Sequence, residues 1–466
     1  MSCLPRVLSA LVLVLAHVCA TGQGLPAEVE TALARAKLPR EALSVLVVDA
    51  EAKAAPRLNH RTGVPVNPAS VAKLVTTYAA LELLGPAFSW STPVYVEGTV
   101  QGGTLTGNLY LQGQGDPKLV VERLWLLLRR VQGLGIRQIQ GDIVLDRSAF
   151  ETVDQDAAAF DGEPLRPYNA APDALLLNYK AVVMTFVPDR GGRAQIQYEP
   201  ALSGVQTLPS VALSGGDCGD WRAGLKADFS RPTRIHFGGA YPSSCGERVW
   251  PVAYADPKTY AARAIAGLWS DMGGQLTGQV REGKVPAGAR AAFALQSPPL
   301  AEVVRDINKY SNNVMAQQLF LTLSLQQNGA GTLEGSREVL RSWWRERIGG
   351  EPPRIDNGSG LSREDRITAQ QLGRLLQLAW ASPLMPELLS SLPVAGTDGT
   401  LKRLRGRGAG QAHLKSGSLR NVAAVAGIVH GASGKRYVLV AIANHPNAAA
   451  ALPAIDALVD WTTRDQ

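Results

Sequence analysis

Cysteine is scarce in this chain: there are four among 466 residues, and no two form a C-x-x-C pair. Histidine is nearly as rare, with six, none of them in an H-E-x-x-H arrangement. Common zinc sites draw on Cys and His at such spacings, so neither a metal nor a cofactor is expected. Long basic runs are also missing. The net charge is only +7 and no zinc-finger or RNP-type pattern occurs. The one basic cluster, LKRLRGRG at 401–408, reads as a solvated loop and not as a nucleic-acid arm, so no nucleic-acid partner is expected. Beyond Ala20 no apolar run is long enough to cross a bilayer. There is no internal repeat, and no G-x-S-x-G elbow of the kind that marks one large class of serine hydrolases.

What is present is an ordinary globular composition, 45% hydrophobic and 19% charged, in a chain long enough for two or three domains. The N-terminus reads as a signal peptide. MSCLPR is short and basic, and VLSALVLVLAHVCA is an apolar run of signal length with small residues for cleavage after Ala20. Cys19 lacks the preceding small residue that a lipoprotein signal wants. Residues 1–20 are therefore expected to be removed, taking Cys3 and Cys19 with them. Cys218 and Cys245 remain. An oxidising compartment permits one disulfide between them; the other reading is two buried free thiols.

ALSVLVVDA (42–50) reads as a buried strand, and NPASVAKLVTTYAALELLG (67–85) as an apolar helix behind a polar start. Near the other end, GQAHLKSGS, NVAAVAGIV and KRYVLVAIAN read as three strands, the last two joined tightly by HGASGK (430–435). AAALPAIDALVDWTTR closes the chain as an amphipathic helix. The simplest arrangement joins strands from both chain ends in one antiparallel sheet with helices packed on it, an α+β fold. From about 96 to 295 short strand-like runs are broken by Gly, Pro and Asp, as expected of mainly β modules inserted into that domain. Residues 300–345 return to helical spacing.

Three short motifs carry chemistry. Ser70 and Lys73 are three apart, so a helix places them on one face. A serine hydroxyl becomes nucleophilic when a base takes its proton, and a lysine serves if burial or a second cation lowers its pKa. The alternative is a cap and a solvated cation. In KYSNNVMAQQLF, Ser311 and Asn313 project the same way from a loop, one able to pass a proton and the other to hold a carbonyl; the alternative is a polar cap on the following helix. In HLKSGSLRN, Lys415 and Ser416 on a strand can grip a carboxylate, and Gly417 can let a substrate backbone approach the strand edge. The alternative there is an edge strand with a protective lysine.

S-x-x-K, then S-x-N, then K-[TS]-G is the triple of penicillin-binding proteins and class A β-lactamases. With YLQGQGDPKL (110–119), GDIVLDRSAFE (141–151), PDALLLNYKAV (172–182) and DNGSGLSREDRIT (356–368), the chain resembles the serine-type D-Ala-D-Ala carboxypeptidase/endopeptidase family, the low-molecular-mass class C penicillin-binding proteins. The resemblance implies a penicillin-recognising, transpeptidase/β-lactamase-like domain over 21–95 and 296–466. A first inserted domain would cover 96–160 and 262–295, and a second 161–261. It implies Ser70 as the acylated nucleophile, Lys73 as its base and Ser311 as a proton relay. Asn313, Lys415, Ser416, Gly417 and Ser418 would bind substrate, with the N–H groups of Ser70 and Ser418 as the oxyanion hole. The partners implied are peptidoglycan stem peptides and β-lactam antibiotics, in the periplasm, with peripheral association to the envelope. A β-lactamase and a non-catalytic wall-binding scaffold of the same fold are the competing readings.

Overall fold

The computed structural model describes residues 24–51, 55–152 and 155–465; the signal-peptide reading and Cys3 and Cys19 lie outside them. Strands from both ends of the chain share one five-stranded sheet. Its order is Ala412–Leu419, Val422–His430, Arg436–Asn444, Leu43–Asp49, Leu58–His60, antiparallel throughout. Both faces are covered. Leu46, Val48, Val438, Val440 and Ile442 join a core with the helices on one side, and Val45, Val47, Leu439, Ala441 and Ala443 join a second core on the other. That is why these strands are continuous apolar runs and do not alternate with polar residues. Helices Ala27–Arg35 and Leu452–Arg464 pack on the back face. The front face carries Lys73–Leu84, Leu300–Tyr310, Asn313–Asn328 and Ala369–Trp380. Helix Lys73–Leu84 runs through the middle of this layer, and every residue from Lys73 to Leu81 is buried. A helix apolar on all sides belongs in a core. The α+β expectation therefore agrees with the observed architecture.

The chain leaves this domain at Trp90 and re-enters at Ser297. Trp90 N–H donates to Ser297 Oγ at 2.9 Å, and Trp90 Nε1 donates to Thr322 Oγ1 at 2.9 Å inside the front core. Just beyond, Phe293–Gln296 pairs antiparallel with Ser91–Val94. The sheet that follows is built on the hairpin Ser91–Gln101/Thr104–Gln112, whose turn uses Gly102 and Gly103 at positive φ. The stretch is not all β. Helices Val121–Gly133 and Pro257–Asp271 pack on it, and strand Ile143–Asp146 runs parallel to Thr104–Gln112. A second five-stranded sheet is formed by Tyr241–Pro242, Ser210–Ser214, Arg193–Glu199, Ala181–Pro188 and Arg248–Ala253. One apolar cluster runs through both sheets, from Val94 and Leu109 to Met184 and Phe186. Among the described residues no helix is long and apolar enough to cross a membrane.

Cys218 and Cys245 are joined in a disulfide that closes a span of 27 residues at the edge of the second sheet. Cross-linking a loop of this length removes entropy from the unfolded chain, on the order of 3 kcal/mol. Replacing both cysteines by alanine should lower the denaturation midpoint by a corresponding amount, measured by urea unfolding followed by tryptophan fluorescence.

Candidate active site

The site is built on a strained turn. Ala69 has φ of +48°, a conformation that costs a residue with a Cβ of order 1 kcal/mol or more. Asn67 holds it: its Oδ1 accepts the Ala69 N–H at 2.8 Å, and its Nδ2 donates to Ser362 O at 2.9 Å. Asn444, at the end of a sheet strand, in turn accepts the Asn67 N–H at 2.8 Å and donates to the Asn67 carbonyl at 2.9 Å. Two glycines close on the same turn. A Cβ at Gly417 would lie 2.6 Å from Pro68 O, and one at Gly360 would lie 2.1 Å from Ala69 O. The expectation that Gly417 makes room for a substrate backbone is thus corrected. The room is taken by the protein's own chain, because residue 417 points inward toward the Ser70 turn.

After this turn Ser70 sits half-buried in the short 3-10 segment Ala69–Ala72, and Lys73 begins the α-helix. Lys73 is fully buried. Its Nζ lies 3.0 Å from Ser70 Oγ, donates to Asn313 Oδ1 at 2.6 Å, and donates to the carbonyl of Ser359. Burial lowers its pKa well below the usual amine value. Lys415 nearby adds to the shift and the Asp365 carboxyl opposes it. An amine so placed gives up its proton more readily than a solvated lysine and is positioned to accept one from Ser70.

Ser311 and Asn313 sit where one front helix ends and the next begins. Ser311 takes the left-handed conformation (φ +57°) that ends Leu300–Tyr310. The helix cap is Asn312, whose Oδ1 accepts from Met315 N at 3.0 Å, so Asn313 is released from capping and meets Lys73. Lys415 is also fully buried, with burial lowering its pKa to about 7; its Nζ donates to Ser311 Oγ at 2.9 Å and to the Ser416 carbonyl at 2.7 Å. Side chains alternate along the strand. Ser416 and Ser418 therefore face away from Lys415 and Gly417; Ser418 lines the cleft and Ser416 Oγ pairs with Thr400 Oγ1 at 2.6 Å. Leu414 directs its N–H outward to Pro393 O at 3.0 Å. The alternation then puts the N–H groups of Ser416 and Ser418 on the same open edge.

Two hydrogen-bonded groups thus stand side by side, Ser70–Lys73–Asn313 and Ser311–Lys415, the Lys415 charge acting on Lys73, with Ser70, Ser311, Asn313 and Ser418 all lining one cleft. Three neighbours carry no spacing signal in the sequence: Ser359, Asp365 and Thr400. Ser359 stands between Gly358 and Gly360, both at positive φ, and this tight loop is the one cue the sequence offered. Asp365 is fully buried, its Oδ1 accepting from Asp356 N at 2.7 Å, with burial raising its pKa to about 7.

The two groups open into a cleft of about 1150 Å³. The inserted region supplies one wall through Phe160, Asp161 and Tyr168, and Arg363 ties that wall down by donating to Phe160 O at 2.9 Å. Among the described residues, no group of three or more His, Cys, Asp or Glu could hold a metal ion.

Residues 25–465 match the family model described as the D-Ala-D-Ala carboxypeptidase 3 (S13) family. The chain is 29% identical over 388 residues to the D-alanyl-D-alanine carboxypeptidase of Actinomadura sp. strain R39, covering 79% of this chain and 71% of that protein. It is 24% identical over 386 residues to the D-alanyl-D-alanine carboxypeptidase DacB of Haemophilus influenzae, covering 81% and 80%. The crystal structure of penicillin-binding protein 4 from Haemophilus influenzae shares the fold with a TM-score of 0.74 at 22% identity, covering 93% of this chain and 99% of that one.

The charges around Lys73 set the sign of a pH effect. Ser70 should become more reactive toward an acylating β-lactam as pH rises through the Lys73 pKa. Asp365→Asn keeps an acceptor for the Asp356 N–H but removes the charge that favours protonated Lys73, so the acid limb of acylation should move to lower pH. Lys415→Gln removes the opposing charge and should move it to higher pH. Acylation rates measured by stopped flow between pH 4 and pH 9 would check both directions.

Proposed function

The chain belongs to the D-Ala-D-Ala carboxypeptidase 3 (S13) family of serine-type hydrolases, and from that premise we propose that it cleaves peptidoglycan stem peptides through an acyl-enzyme on Ser70. The observation that carries this reading is the fully buried Lys73 amine 3.0 Å from Ser70 Oγ. In the proposed first step Lys73 takes the Ser70 proton while Oγ attacks the carbonyl between two D-alanines. The N–H groups of Ser70 and Ser418 receive the developing oxyanion. Asn313 Oδ1 is engaged by Lys73, which leaves Nδ2 to hold the substrate amide carbonyl. The Ser311 hydroxyl, hydrogen-bonded to Lys415 at 2.9 Å, passes a proton to the leaving amine as the C–N bond breaks, and the proton that Lys73 took from Ser70 replaces it, which restores both Ser311 and the neutral amine. The outward hydroxyls of Ser416 and Ser418 meet the carboxylate of the departing D-alanine, with the Lys415 charge behind them. Neutral again, Lys73 takes a proton from water as it attacks the ester carbonyl, and returns that proton to Ser70 Oγ as the C–O bond breaks.

The leaving group is free D-alanine in the carboxypeptidase reaction and the partner peptide of a cross-link in the endopeptidase reaction. The open cleft, walled on one side by the inserted region, has room for the larger of the two. Penicillin presents its lactam carbonyl and carboxylate to the same groups and stays as a slowly hydrolysed adduct. Such a substrate belongs outside the cytoplasm, and we place the enzyme in the periplasm after removal of residues 1–20.

Ser70→Ala should abolish both D-alanine release from a pentapeptide and the penicillin adduct seen by intact-mass spectrometry. A full adduct on that variant would remove Ser70 from its role. Rapid turnover of nitrocefin by the wild type would favour the β-lactamase reading, and a wild type without any adduct the scaffold.

A further inference from the structure

Strand Ala412–Leu419 is the outer edge of the sheet, and only its first half is covered. Leu414 N–H donates to Pro393 O at 3.0 Å, and Ala395 N–H donates to Ala412 O at 2.9 Å. The cover ends where the substrate-facing half begins, and there Thr400 meets Ser416. The chain then passes directly into Lys402-Arg403-Leu404-Arg405-Gly406-Arg407-Gly408. Alternate positions of this loop are tied to the body of the domain. Leu404 is 8% exposed in the back core. Gly406 rests on Asp460, where a Cβ would lie 2.6 Å from Oδ2, and Gly408 N–H donates to Asp460 Oδ1 at 2.8 Å.

The four cations of this loop, two before the first tie and two between the ties, all face solvent, and none has an ion-pair partner among the described residues. Two acids that the loop's surroundings offer are otherwise engaged: Asp460 holds the loop backbone, and Asp398 pairs with Lys309 at 2.5 Å. Across the open edge, Arg420 is exposed on the cleft rim with Arg363 and Arg366, and Asp161 is the one carboxylate among the described residues that line the cleft. A flexible, merely solvated basic run needs no such anchoring. Here the fold anchors the backbone among exposed like charges, in the segment that follows directly on Thr400 and its contact with Ser416.

We propose that loop 402–407 is a docking surface for the anionic peptidoglycan network, whose stem-peptide carboxylates on strands next to the one in the cleft meet Lys402, Arg403, Arg405 and Arg407. This rests on the reading of the cleft as a stem-peptide hydrolase and extends it from the single peptide to the polymer. The loop raises the local concentration of substrate and holds the enzyme on the wall between cleavages, an effect that screening by salt weakens.

The test compares the wild type with K402Q/R403Q/R405Q/R407Q, and with R405E/R407E as a second variant. Binding to purified sacculi is measured by co-sedimentation across a salt series. The expected result is salt-sensitive binding by the wild type and an affinity about tenfold lower in both variants, with a flatter salt dependence. Penicillin acylation and D-alanine release from a soluble pentapeptide should stay unchanged, which also shows that the variants are folded. Sacculus binding equal to wild type in the folded variants overturns the proposal. So does a loop-dependent interaction found only with vesicles of phosphatidylglycerol and phosphatidylcholine, or only with duplex DNA. Failure of the cleft reading is distinguishable: the wild type would then form no penicillin adduct, whatever it binds.

Discussion

A lysine amine with no exposure to water is the constraint around which the catalytic domain is arranged. Removing such a charge from solvent is costly, and the amine responds by giving up its proton more readily. The hydrogen bonds from Lys73 to Asn313 and Ser359 hold the amine in place and leave it beside the Ser70 hydroxyl. Each contact arrives from a different part of the chain, the helix Asn313–Asn328 and the loop around Ser359, and the strand that carries Lys415 adds a like charge nearby. The fold brings together pieces separated by more than two hundred residues because one buried nitrogen needs all of them.

Glycine does the corresponding work for the backbone. The turn before Ser70 carries a positive φ at Ala69 and is held by Asn67. It can be held that tightly only because Gly360 and Gly417 let a loop and a strand close on it from two sides. A side chain at either position would push the turn away from the strand and carry Ser70 with it. Ser70 is positioned by close backbone packing as much as by its own hydrogen bonds.

Much of the architecture was readable from residues because burial leaves a pattern. The runs at 45–48, 422–429 and 438–443 are apolar at every position since their sheet is covered on both faces. The inserted region was less legible. Val121–Gly133 has a helical stripe, but it lies among glycine- and aspartate-broken strands that set the tone of the segment. The S-x-x-K spacing conveyed a shared helix face directly. The spacing of Ser311 and Asn313 did not reveal that Asn312, between them, is the residue that caps the helix. Gly417 was misread because its neighbour across the strand edge is contributed by residues 68–71, which no local pattern announces. Ser359, Asp365 and Thr400 come from loops whose course is set by tertiary packing, so neither periodicity nor spacing marks them.

The half-covered outer strand has a consequence for the molecule's own solubility. An exposed edge invites a second chain to add to the sheet. Here segment 393–395 occupies the beginning of the strand, and the turn at Arg420 ends it shortly after Ser418. The unpaired stretch is only a few residues long, too short to give another copy a stable register, and it is flanked by cations that would face each other in any such dimer. An opening wide enough for a short peptide is therefore narrow enough to keep two copies of the protein from pairing edge to edge.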